Sequence, residues 1–225
     1  MNRNARENIM RVIAACGVIF LITSSFMNVN AIENYHEAKK LFWKELYPKG
    51  YTLYCRAKIS QSNQQDINIE HVFPMAWVKN SLNCGTRDEC RRNSDLFNRI
   101  EADMHNLYPS LSKLNYERQA FRFGTISGEE RRFGPKCDFE VSHRYRVVEP
   151  RAEARGEIAR AMFYMEKQYE PLVLFKKQAD ILLKWHEKDP PSKEEKWRND
   201  KIEALQGNRN PFIDDPSLIQ YREQQ

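Results

Sequence analysis

The chain has 225 residues, 41% hydrophobic and 30% charged, with a formal net charge of +5. That size suits one domain with its own core, and nothing after Ala31 is long and apolar enough to cross a bilayer, which excludes further membrane-spanning helices. The basic balance keeps polyanions, nucleic acid among them, in view as partners.

The first segment reads as an address rather than as fold. Arg3, Arg6 and Arg11 precede an uncharged run from Val12 that ends in Val29-Asn30-Ala31, with a small residue where a signal peptidase cuts. That is the layout of a secretory signal peptide over 1–31; an uncleaved N-terminal anchor is the alternative. The expected organisation is therefore a signal peptide, 1–31, and one folded domain, 32–225. From Ile32 to Leu46 the apolar residues Tyr35, Ala38, Phe42 and Leu46 form a helical stripe, ended by Pro48 and Gly50. Tyr51–Cys55 reads as a short strand, 61–65 as a polar loop, and Asp66–Phe73 as a second strand. Residues 80–98 read as a long irregular excursion held by a disulfide. Pro109-Ser110 offers a helix start, with Ser110 or Ser112 as cap, running to about Gln119.

Short β-rich segments follow between Phe121 and Val148, with turns at Ser127-Gly128 and Gly134-Pro135. Ile158, Met162, Met165 and Tyr169 then mark a long amphipathic helix over 152–169. Pro171 breaks it, and a second helix carries Phe175, Ala179, Leu182 and Trp185. Ser192 opens a third, with Glu195 completing a capping box and Gly207 closing it. The fold class this order predicts is a single α+β domain.

Export changes how the cysteines read. With Cys16 in the leader, Cys55, Cys84, Cys90 and Cys137 remain, and an oxidising compartment favours two disulfides. Cys84 and Cys90 bracket a short polar loop and form the local pair, leaving Cys55 to Cys137. A four-cysteine zinc site has no C-x-x-C pair to support it.

The stretch IEHVFP, 69–74, sets Glu70 beside His71. A carboxylate can hold a hard cation and an imidazole can move a proton near neutral pH, although both also occur as ordinary strand-end residues. Asn115 sits inside a predicted helix, where asparagine is a poor former, and shares a face with Leu111 and Arg118. Were that helix to lie against the 66–73 strand, a carboxylate, an amide oxygen and an imidazole would converge, an oxygen set suited to Mg²⁺ or Ca²⁺. Asn106 is a rival to Asn115, and His105 lies close to both. His36, His143 and His186 read as surface or structural, and the lack of H-E-x-x-H leaves a zinc protease without footing. Arg87, Arg91, Arg92, Arg99, Arg118 and Arg122 crowd the region after IEHVFP, with Arg131, Arg132, Lys136, Arg144 and Arg146 beyond, a concentration that suits a polyanion.

IEHVFPMAWVKNSLNCGTRDEC and RIEADMHNLYPSLSKLNYERQ, followed by RVVEPRAEARGEIARAMFYM and KWRNDKIEALQGNRNPFID, resemble the bacterial endonuclease I family over nearly all of residues 32–225. Those are exported, nonspecific nucleases with a ββα-metal, or His-Me finger, core and here a helical C-terminal part. The resemblance implies Glu70 and Asn115 as ligands of a divalent metal (Mg²⁺, or Ca²⁺ or Mn²⁺) and His71 as the general base. It further implies Arg87 as a phosphate contact and Glu101 as the group orienting the imidazole, by side chain or backbone. The implied protein is a periplasmic or secreted monomer, free of the membrane after leader cleavage. It would hydrolyse DNA, and RNA as well, to 5′-phosphates. Some relatives carry more cysteines, so their disulfide pattern does not transfer whole. The competing readings are a secreted nucleic-acid-binding protein without activity and an exported phosphodiesterase for small molecules.

Overall fold

The computed structural model describes residues 32–128 and 131–219; the leader expected over 1–31 lies outside them. Helix α1, Tyr35–Leu41, begins at Asn34, whose Oδ1 accepts the Glu37 N–H at 3.1 Å. It runs on through a π-helical turn, Phe42–Leu46, burying Ala38, Phe42 and Leu46 as the stripe predicted. Strand β1, Gly50–Tyr51, pairs antiparallel with β2, Lys58–Ile59. The strand expected to reach Cys55 stops after Tyr51. Thr52 turns the chain instead, its hydroxyl accepting the Ala57 N–H and its carbonyl the Arg56 N–H.

Strand β3, Ile67–His71, pairs antiparallel with β4, Leu107–Leu111, and helix α5, Ser112–Arg118, packs on this ribbon, giving a β-β-α unit. The expected helix start at Pro109-Ser110 is therefore corrected: both residues lie in β4, opposite Ile69 and Asn68. A two-stranded ribbon has only edge strands, and an edge tolerates proline.

Between β3 and β4 lie three helices, α2 (Met75–Leu82), α3 (Arg87–Asn93) and α4 (Asp95–Ala102), in place of the irregular excursion expected over 80–98. Asn83 and Gly85 take left-handed φ of 47° and 91°, ending α2 sharply. A side chain at Gly85 would meet the Glu89 carboxylate as well as backbone strain. Thr86 and Glu89 then form a capping box that opens α3, and Ser94 caps α4. The second half comprises β5 (Arg122–Phe123), β6 (Phe139–Ser142) and β7 (Val147–Pro150), in sheet order β5-β7-β6. Helices α6 (Arg155–Gln168), α7 (Lys176–Lys188), α8 (Lys193–Gln206) and α9 (Pro211–Asp214) complete it. The Ser192–Glu195 capping box and the closing Gly207, at φ 86°, match the sequence reading.

This is a single α+β domain with two apolar clusters. The larger unites Tyr54, Phe73, Phe97, Tyr108, Phe123, Phe139, Met162 and Trp185; the smaller joins Phe42, Leu46, Ile67, Ile69, Met104 and Ile202. The β3–β4 ribbon contributes to both, so the end of β3 lies on the seam between them. Two disulfides, Cys55–Cys137 and Cys84–Cys90, follow the pairing expected.

Candidate active site

Strand alternation sends neighbouring side chains to opposite faces, and Glu70 and His71 have separate partners. Glu70, 2% exposed, takes the Tyr54 hydroxyl on Oε1 at 2.7 Å, and the buried Arg118 Nε stands 3.1 Å from the same oxygen. Burial pushes the Glu70 carboxyl above its usual range, against the pull of Arg118 and Tyr54. Its Oε2 has no partner among the described residues.

His71 is buried on the other side. Its Nε2 lies 3.0 Å from the Glu101 carbonyl oxygen. A carbonyl only accepts, so Nε2 carries the proton and Nδ1 is the free lone pair. Burial depresses the imidazole to about 4, outweighing the carbonyl, and Arg87 and Arg91 push the same way. The ring of Tyr35, on α1, lies 5.2 Å from the imidazole.

Glu101, on α4, thus faces His71 with its backbone while its carboxylate serves α3. Arg87 Nε reaches Oε1 at 2.5 Å, and Arg91 bonds both oxygens at 2.8 and 2.9 Å. Burial alone would raise the Glu101 carboxyl, but Arg91 and Arg87 together hold it below the usual range. Arg87 keeps 43% of its side chain exposed, so its terminal nitrogens stay open to an incoming anion.

Asn115 reaches the ribbon from α5, donating Nδ2 to Asn68 Oδ1 at 2.9 Å and to the Ile69 carbonyl at 3.1 Å. With the amide nitrogen spent, Oδ1 is the acceptor left over, without a partner among the described residues. Asn106, its rival, is used at both ends by Phe73: Oδ1 accepts the Phe73 N–H at 2.6 Å and Nδ2 donates to its carbonyl at 3.0 Å. His105 Nε2 is spent on the Asn208 carbonyl. No group of three or more His, Cys, Asp or Glu gathers among the described residues. A carboxylate oxygen and an amide oxygen left over on adjoining elements fit a hard cation that keeps most of its water, as Mg²⁺ does.

Residues 23–217 match the family model described as Endonuclease I. The chain belongs to the endonuclease I family. An extracellular deoxyribonuclease of Aeromonas hydrophila is 34% identical, over 86% of this chain and 94% of its own. A periplasmic deoxyribonuclease of the same organism is 38% identical over 66% of this chain and 63% of its own. An extracellular ribonuclease of Bacillus amyloliquefaciens is 33% identical over 74% of this chain and 57% of its own. Within this family member, Tyr54 is a site neighbour read from sequence only as part of a strand. Arg91 and Arg118, expected among the arginines gathered for a polyanion, face Glu101 and the buried Glu70 respectively. Arg91 follows Arg87 by one helical turn, and Arg118 follows Asn115 by three residues, so spacing was the available signal for both.

Proposed function

We propose that this protein is an exported, metal-dependent endonuclease that cuts DNA, and RNA as well, without strong sequence preference, acting as a monomer in the periplasm or outside the cell. The observation that carries the reading is the neutral His71, its Nε2 on the Glu101 carbonyl and its Nδ1 free, next to a Glu70 with an unshared oxygen. The relatives' names support the substrate class and the compartment. Glu70 Oε2 and Asn115 Oδ1 would hold the cation, which when bound supplies Lewis-acid neutralisation of charge on the phosphate and the departing oxygen.

The chain's own residues do the remainder. His71 Nδ1 takes a proton from water as that water's oxygen attacks phosphorus in line. The Glu101 carbonyl fixes the ring and favours the imidazolium that forms, through a charge-assisted bond. Arg87, held by the Glu101 carboxylate, turns its open guanidinium edge to the phosphate. The bond from phosphorus to the 3′ oxygen breaks, the 3′ oxygen takes a proton from solvent, and the new end carries a 5′-phosphate. These contacts address the backbone, so base identity has little influence.

Supercoiled plasmid incubated with the protein and Mg²⁺ is expected to be nicked and linearised, and chelator to stop it. His71→Ala should still bind DNA while kcat falls by about 10²-fold or more. Plasmid left intact by the parent protein, or cut equally well by His71→Ala, would contradict the reading. A binding protein without activity leaves the free Nδ1 and the open oxygens of Glu70 and Asn115 without a purpose.

A further inference from the structure

The turn joining β6 to β7 presents His143, Arg144, Tyr145 and Arg146 in succession, all exposed. Tyr145 is 66% exposed, at a turn that small polar residues serve better. Arg146 adopts a left-handed φ of 51°, uncommon for a long side chain. The Arg144 guanidinium lies 5.4 Å from the centre of the Tyr145 ring, and that of Arg146 lies 5.7 Å from the Phe121 ring. Neither meets a carboxylate among the described residues, so both charges are available to a ligand.

This turn is fastened to the helix that carries Asn115. His143 Nε2 donates to Glu117 Oε2 at 2.8 Å, and Arg132 donates to the same oxygen at 3.0 Å. The His143 ring also stands edge-on to Phe121, 5.5 Å away. Glu117 lies two residues beyond Asn115, and the intervening Tyr116 is 77% exposed. An exposed aromatic flanked by guanidiniums, tied to the site helix, matches how sequence-tolerant surfaces hold single strands, by stacking bases and meeting phosphates.

We propose that the β6–β7 turn is a strand-holding surface, in which an unpaired base stacks on Tyr145 while Arg144 and Arg146 meet the neighbouring phosphates. The inference rests on the nuclease reading and adds the part of the substrate that is held away from the cut. A single strand fits better than a duplex, whose base faces are already stacked.

The test is fluorescence anisotropy with a labelled single-stranded oligonucleotide, on full-length mature protein carrying His71→Ala so that the probe stays whole. Tyr145→Ala is expected to raise Kd about tenfold, since one stacked base is lost, and Tyr145→Phe to restore most of it. Arg144→Gln should lower the slope of log K against log salt by about 0.7, one single-strand phosphate contact. Lys196→Ala with Lys201→Ala, two exposed charges on α8, should weaken binding by less than about twofold, a change small beside one lost phosphate contact. Melting curves taken alongside exclude unfolding as the cause. The proposal is overturned if Tyr145→Ala binds within about twofold of its parent, or if the two-lysine control loses as much. In a separate arm, His71-intact protein with Mg²⁺ leaving the oligonucleotide uncut would sink the nuclease reading instead, whatever the turn does.

Discussion

Arg118 favours the charged form of Glu70 against a burial that raises its carboxyl above the usual range. Both are almost fully buried, and Arg118 also donates to the Val72 and Gln119 carbonyls at 2.6 and 2.9 Å. Removing one partner of a buried pair strands the other, which typically costs about 3–5 kcal/mol. Arg118→Met, similar in length but uncharged, should lose that much in a denaturant titration of metal-free protein. Glu70→Gln added to it should recover part of the loss, because the stranded charge is gone. A loss below about 1 kcal/mol would mean the pair is not a supporting element. The sequence made Glu70, His71 and Asn115 visible because their chemistry is in their side chains and their flanks match a family. Arg118 was visible only as a residue on Asn115's helix face and as one of the clustered arginines, and neither sign says that it is buried against Glu70. Tyr54 was hidden for a different reason: it was read as part of a strand, whereas it lies in the turn that brings its hydroxyl to Glu70.

At the scale of elements, α3 is the piece that sequence periodicity could not reveal. Its seven residues, RDECRRN, bury only Cys90, so there is no apolar stripe to read. The legible sign was T-x-x-E, Thr86 to Glu89, the same kind of capping box that located α8 from Ser192 and Glu195. Once α3 is a helix, Arg87 and Arg91 fall one turn apart and clasp Glu101 together. The Cys84–Cys90 bond fixes the start of α3 and spans 6 residues, whereas Cys55–Cys137 spans 82 and joins the two halves of the chain. By the chain-entropy estimate these contribute roughly 2 and 4.5 kcal/mol respectively. Replacing Cys84 and Cys90 by serine should therefore cost less stability than replacing Cys55 and Cys137. Its kcat/KM on DNA should nevertheless fall about tenfold through loosened placement of Arg87. Guanidinium titrations and plasmid kinetics on the two double variants decide it. A larger stability loss for the short loop, or undiminished activity without it, would contradict the argument.

Across the whole molecule, a buried polar network around Asp103 ties the ribbon to the C-terminal helices. Asp103 accepts the Tyr164 and Tyr169 hydroxyls, both at 2.8 Å, the His105 N–H at 2.9 Å and Gln206 Nε2 at 2.8 Å. His105, next along, lies 4.5 Å from the Tyr164 ring and bonds the Asn208 carbonyl at 3.1 Å. Its Nδ1 is buried without a partner among the described residues. Burial depresses the imidazole to about 4; Asp103 and the Asn208 carbonyl oppose this, and Arg198 and Arg209 reinforce it. In the unfolded chain the same group takes up its proton near 6.5. Between those values the unfolded state binds more protons than the folded one, so stability falls as pH falls and is fully present above about 6.5. The full drop from this one group is about 3 kcal/mol, spread from pH 6.5 down to 4. His105→Phe keeps a ring against Tyr164 and removes the titration. It should melt lower than the parent at pH 8, having lost the Asn208 bond, yet its melting temperature should fall less between pH 6.5 and 4. Melting curves at half-unit steps across that window provide the measurement, and parallel curves for parent and His105→Phe would show that the acid sensitivity arises elsewhere. The connection matters for the site because the Asp103 backbone follows Glu101 by two residues. Loss of this network in acid should loosen the carbonyl that holds His71 before the β3–β4 ribbon itself comes apart.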